Sequence, residues 1–123
     1  MKKMLSLLCV LCLACTAWAD REASYWTDPE TGFKWRYLIR DDEAWVISLD
    51  TRRDDRFDLL EIPSHFEGKP VTAIGRGAFY RFWNLNGRAV IPPRVTVIDQ
   101  HAFYGCLNMT SVTMPRGITY FGE

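Results

Sequence analysis

The chain has 123 residues, 48% of them hydrophobic, with 15 basic and 15 acidic side chains and no formal net charge at pH 7. That balance lacks the basic footprint of a nucleic-acid binder, and the length allows one small core rather than several domains. Residues 20–61 hold 7 basic and 12 acidic groups whereas residues 62–123 hold 6 and 3, so an acidic front precedes a mildly basic half. Such scattered charge reads first as solvated surface.

At the start, Lys2 and Lys3 precede the apolar run from Met4 to Leu13, and Ala17-Trp18-Ala19 stands before Asp20. Basic, apolar and small-x-small in that order predict a secretory signal over residues 1–19, cut after Ala19. Even carried on to Ala17, about 14 residues, the apolar run is short of the ~20 that a membrane anchor requires. A lipoprotein cut at Cys15 is the competing reading, and only acylation there would attach the chain to a membrane. Cys12 stands where such a site usually has leucine, which favours Ala19. The expected product is secreted, periplasmic or held at the cell surface. Loss of Cys9, Cys12 and Cys15 would leave Cys106 alone, so no internal disulfide is available and packing must supply stability. With Lys2 and Lys3 also gone, 13 basic and 15 acidic groups give a net charge of −2.

Residues 20–57 read as an N-terminal cap region. Phe33-Lys34-Trp35-Arg36-Tyr37-Leu38-Ile39 alternates aromatic and basic residues, and Trp45-Val46-Ile47-Ser48-Leu49 follows the polar Asp41-Asp42-Glu43, which predicts a β-hairpin. Phe33, Trp35 and Tyr37 fall on one face. They suit the cover of a repeat stack better than a ligand platform, since terminal repeats need covering. Thr51 to Arg56 is charged and aperiodic, a solvent loop. Asp54 and Asp55 within it offer too few oxygen ligands for a metal site.

Residues 58–123 are repetitive. Ile74-Gly75-Arg76-Gly77-Ala78-Phe79-Tyr80 returns 24 positions later as Ile98-Asp99-Gln100-His101-Ala102-Phe103-Tyr104, and a third copy begins at Phe121-Gly122. Two units are complete and the third is truncated. A unit of this length cannot bury its apolar face alone and must stack on its neighbours. Each unit opens on a short strand ended by proline, at Leu60-Glu61-Ile62-Pro63, Ala89-Val90-Ile91-Pro92 and Val112-Thr113-Met114-Pro115. Proline has no amide hydrogen for a ladder and therefore belongs at a strand end. Alternation puts Leu60, Ala89, Val112, Ile62, Ile91 and Met114 inside and Glu61, Val90 and Thr113 outside. A second extended element follows at Val71–Ile74, Val95–Ile98 and Ile118–Phe121, with Thr72, Thr96 and Thr119 at one level for hydrogen bonding along the stack. The Ala-Phe segments are expected to form one helical turn plugging each coil. His65 to Lys69 is extra in the first unit and is expected to bulge as a loop.

These residues together resemble the BspA-like bacterial leucine-rich repeats, whose unit runs Ile-Pro, Val-Thr-x-Ile-Gly, Ala-Phe-x-Gly-Cys. Ile62-Pro63, Val71 to Gly75 and Ala78-Phe79 match the first unit, and Ile98, Ala102 to Cys106, Met109 and Val112 match the next. Arg81-Phe82 replaces Gly-Cys in the first unit and Asp99 replaces the glycine in the second; Phe82 is expected to fill the core site that Cys106 fills one coil later. The resemblance implies a β-rich solenoid, a short leucine-rich repeat stack with an N-terminal β-hairpin cap. It also implies a bacterial secreted or cell-surface protein of the kind associated with adhesion or host-matrix binding.

No catalytic, cofactor or metal-binding residues are assigned. His65 and His101 lie in an inserted stretch and a variable repeat position, and Cys106 sits where a small buried hydrophobe is needed. Asn108-Met109-Thr110 fits a glycosylation acceptor. The expected function is a non-catalytic protein-binding or adhesion module, its partner a host or matrix protein, with Glu61, Trp83, Arg88, Val90, Ser111 and Thr113 as contact residues. The alternative is a structural or assembly piece that self-associates through its open C-terminal end. Three coils at ~4.8 Å with strands of about four residues at ~3.3 Å each give a strand face near 200 Å². That is well short of the ~800 Å² per partner of a standard interface.

Overall fold

The computed structural model describes residues 23–122. The expected signal over residues 1–19, its Ala19 cleavage site and the Cys15 alternative lie outside them. Ten strands run in chain order, and the described residues contain no helix. They are β1 (Ser24–Thr27), β2 (Lys34–Arg40), β3 (Glu43–Asp50), β4 (Phe57–Glu61), β5 (His65–Phe66), β6 (Lys69–Ile74), β7 (Leu85–Val90), β8 (Val97–Ile98), β9 (Ser111–Thr113) and β10 (Tyr120–Phe121).

The repeat region winds as a solenoid of about three turns. One wall is the parallel sheet β4-β7-β9, and the other is the parallel run β6-β8-β10. Leu60 pairs with Ala89, 29 positions on, whereas Ala89 pairs with Val112, 23 positions on. The longer first coil accommodates the extra His65–Lys69 stretch. Between the walls, Leu60, Ala89, Ile62, Ile91, Val71, Ile74, Val95 and Ile98 are buried, as the alternation required. Met114 departs from that expectation: it is exposed, because no further coil among the described residues covers its side of the stack. Thr96 and Thr119 send both backbone N–H and hydroxyl to the carbonyls of Thr72 and Thr96, so the threonine ladder closes on backbone oxygen rather than on neighbouring hydroxyls.

The turns between walls are tighter than the helical turn expected. Ala78, Tyr80 and Phe82 donate to carbonyls three residues back, and so do Ala102, Tyr104 and Cys106. A third ladder joins successive turns, with Gly77, Phe79 and Arg81 donating to the carbonyls of Gln100, Ala102 and Tyr104. Phe79 and Phe103 stack at 5.2 Å within this ladder. Phe82 fills the core between Phe79 and Phe57, and its counterpart Cys106 turns its thiol to the Phe79 carbonyl at 3.0 Å. Half-burial there pushes the Cys106 thiol above its ordinary pKa.

The cap is more integral than a lid. β2 and β3 form the predicted hairpin, joined through Asp41 and Asp42, both at positive φ as a two-residue hairpin turn demands. β3 pairs in parallel with β6, so the hairpin extends the β6-β8-β10 wall by its backbone, and β1 adds a further antiparallel strand at the edge. The sequence reading did not include β1. Trp35 and Tyr37 are buried against the stack, in keeping with a cover rather than a ligand platform. Glu67 and Gly68 take positive φ and fold the inserted stretch back as β5 on β6, placing Phe66 in the core, stacked on Tyr37 at 4.4 Å. The stretch expected to bulge as a loop is instead a packing element.

The charged 51–56 loop is pinned by one buried polar side chain, Asn84, whose amide donates to the carbonyls of Arg52 and Asp55. Gly87 lets β7 bulge against β4, since a Cβ at that position would collide with the Asp58 backbone.

Candidate functional site: the strand face and its side groove

Parallel register sets the outer face of the β4-β7-β9 wall. Glu61, Val90 and Thr113 align in one row across the coils, and Leu59, Arg88 and Ser111 align two residues earlier. Five of the residues expected from sequence are therefore brought onto one surface, with Val90 half-buried and Glu61, Arg88, Ser111 and Thr113 exposed. Trp83 is not among them. It lies in a separate depression with Arg81, Tyr104 and Leu107, its carbonyl accepting from the Asn108 side chain.

The strand face is not flat along its length. Where β4 and β7 end, the β1–β2 connection rises beside them and encloses an open groove of about 740 Å³. Leu59 and Val90, on the outer face of the strands, line it together with Ile62, the prolines Pro63, Pro92 and Pro93, and the rings of Trp26 and Phe33. Leu59 and Trp26 each keep 39% of their surface exposed, so the groove offers large apolar groups to an incoming chain. Its rim is acidic, with Asp28, Glu30 and Glu61.

The wall is held in shape by its own hydrogen bonds. Asp28 accepts from the Glu30 amide and the Thr31 hydroxyl, both at 2.9 Å, while the Thr31 hydroxyl accepts from the Phe33 amide and the backbones of Asp28, Gly32 and Phe33 close the turn. The Glu30 amide, then the Thr31 groups, hold the Asp28 carboxyl below its ordinary pKa. Ser64 at the same rim stands 2.9 Å from His65 Nδ1, a contact between chain neighbours on an exposed turn. Among the described residues no three His, Cys, Asp or Glu side chains gather as metal ligands would.

Sequence reasoning missed Trp26, Phe33, Leu59 and the three prolines as parts of a site. Glu61 and Val90 were accessible to it because the repeat period aligns them, but the far wall comes from aperiodic residues that reach the groove only after β1, β2 and β3 have joined the sheet.

A profile of the BspA type Leucine rich repeat region (6 copies) matches residues 56–123. The chain belongs to the BspA-type leucine-rich repeat family. Two solved structures share the fold. A leucine rich repeat protein of T. pallidum is 24% identical with a TM-score of 0.53, over 80% of this chain and 39% of that one. A leucine-rich repeat protein from Bacteroides ovatus ATCC 8483 is 19% identical with a TM-score of 0.56, over 79% of this chain and 23% of that one. No curated protein matches the chain. This BspA-type chain thus spans less than half the length of either structural relative, and the likeness carries the solenoid rather than a ligand.

Proposed function

We propose that this BspA-type repeat protein is an exported, non-catalytic recognition module that adheres to a protein partner outside the cell. A leucine-rich repeat fold suggests a protein-binding module, and the observation that carries the reading further is the groove running into the β4-β7-β9 face. Apolar floor, aromatic wall and acidic rim together suit an extended segment bearing apolar side chains beside lysine or arginine. The groove also relieves the shortage of area on the strand face, because the cap adds walls that the three short strands lack.

The test is a binding screen of the full chain against synthetic peptides graded in basic and apolar content, with Val90→Arg and Glu61→Lys as probes. Wild type is expected to favour peptides rich in both, and each variant to weaken capture about tenfold or more, as loss of a central contact does. Thermal stability should stay within a few degrees, since neither side chain is fully buried. Equal capture by the variants would remove this face from the account.

A further inference from the structure

On the turn side of the solenoid lies a second surface of opposite character. Tyr80 and Tyr104, from successive coils, are 48% and 54% exposed and stack on each other at 5.4 Å with their planes 8° apart. The His101 ring meets both edge-on, and the Arg81 guanidinium lies 5.4 Å from the Tyr80 ring. Arg76 lines a depression of about 420 Å³ with Gly77, Tyr80, His101 and Tyr104. Neither Arg76 nor Arg81 forms an ion pair with a described carboxylate. Asp99, two residues before His101, accepts at Oδ1 from the Gln100 amide.

Backbone conformation marks two of these side chains. The repeat aligns Gly77 with His101 and Arg81 with Gly105, and all four take positive φ, at 65°, 59°, 52° and 75°. In each pair one coil uses glycine, which adopts this conformation without steric cost, and the other uses a bulky residue that does not. Asp41, Asp42 and Glu67 also have positive φ, but in two-residue hairpin turns that require it. Arg81 and His101 instead occupy positions where the neighbouring coil demonstrates that glycine suffices. Gly105 is adapted to its neighbour as well, because a Cβ there would stand 2.9 Å from Arg81 Cγ. Strain retained at exposed residues that converge on one surface points to use rather than packing.

We propose that this ridge is a second binding site, separate from the groove, that takes an acidic polypeptide segment: carboxylates on the Arg76 and Arg81 guanidinium groups and an apolar side chain between Trp83 and Leu107. Guanidinium groups bind carboxylates through paired N–H donors, which suits a ridge with two arginines unengaged by any described acid. Trp83 and Leu107 flank an adjoining depression of about 610 Å³ that also reaches Arg81 and Tyr104, and Leu107 is 88% exposed. A sugar chain fits less well. It stacks on open ring faces, and the Tyr80 ring has one face against Tyr104 and Arg81 set over it.

The test is a titration of the full chain with a Glu/Tyr copolymer, with a Lys/Tyr copolymer and heparin as comparison ligands. Variants Arg81→Gly, His101→Gly and Arg76→Glu are measured for affinity and melting temperature. The expected result is preference for the Glu/Tyr polymer, lost about tenfold or more in each variant, with the two glycine variants melting at or above the wild-type temperature as strain is released. Arg76→Glu, at a position of ordinary φ, checks the charge requirement without touching the strained backbone. Tighter binding to heparin would overturn the polypeptide occupant. Unchanged affinity in the variants, or glycine variants that lose stability together with affinity, would overturn the site.

Discussion

Tyr37 is a single residue on which several constraints meet. Its ring covers Phe66, and its hydroxyl donates to Glu67 Oε2 at 2.7 Å, tying the hairpin to the inserted stretch. Burial first, then the bond to Glu67 and the charge of that carboxylate, push the phenol from 10.0 up to about 12. An unfolded chain releases this proton near 10 and the folded one near 12, so the contribution is fully present below the lower value and is lost as pH rises towards the upper. Unfolding by denaturant across that alkaline range is expected to show falling stability, and Tyr37→Phe should flatten the fall attributable to this group. An identical slope in the variant would mean that the phenol does not carry it. None of this is legible from sequence, because Glu67 belongs to a stretch expected to bulge from the first coil as a loop.

Among the elements, the strands of the coils were legible and the inserted β5 was not. Proline-ended strands recur from coil to coil, and a side-chain period of two fixes which residues face inward, so the burial of Leu60, Ala89, Ile62 and Ile91 is legible in the sequence. His65-Phe66-Glu67-Gly68-Lys69 has no counterpart in the other units, and only the positive φ of Glu67 and Gly68 turns Phe66 inward onto Tyr37, Trp35 and Trp26. The prediction is that this insertion belongs to the stability core. Phe66→Ala should cost about 3 kcal/mol, the usual loss for a buried aromatic, and lower the melting temperature by more than about 10 °C. A change of only a degree or two by calorimetry would return the stretch to the status of a dispensable loop.

At the scale of the whole molecule, the hairpin does two things with one set of residues. By pairing β3 with β6 it closes the N-terminal edge of one wall, and by carrying β1 and the 28–33 turn outward it raises a rim over the end of the other. The solenoid was readable because repetition makes local pattern and global fold agree. Its groove was not, since Trp26 and Phe33 meet Val90 and Pro92 only through pairings that no period encodes. The turn ridge is basic and aromatic whereas the groove is apolar with an acidic rim, so one small protein carries two surfaces of opposite character. The central claim, that the groove is the recognition surface, is tested most directly by hydrogen–deuterium exchange of the full chain with and without the tightest-binding basic, apolar peptide. Slowed exchange is predicted at the amides within residues 28–33 and 59–64 and at those of Val90 and Ile91, whereas protection confined to other segments, with these unchanged, would contradict it.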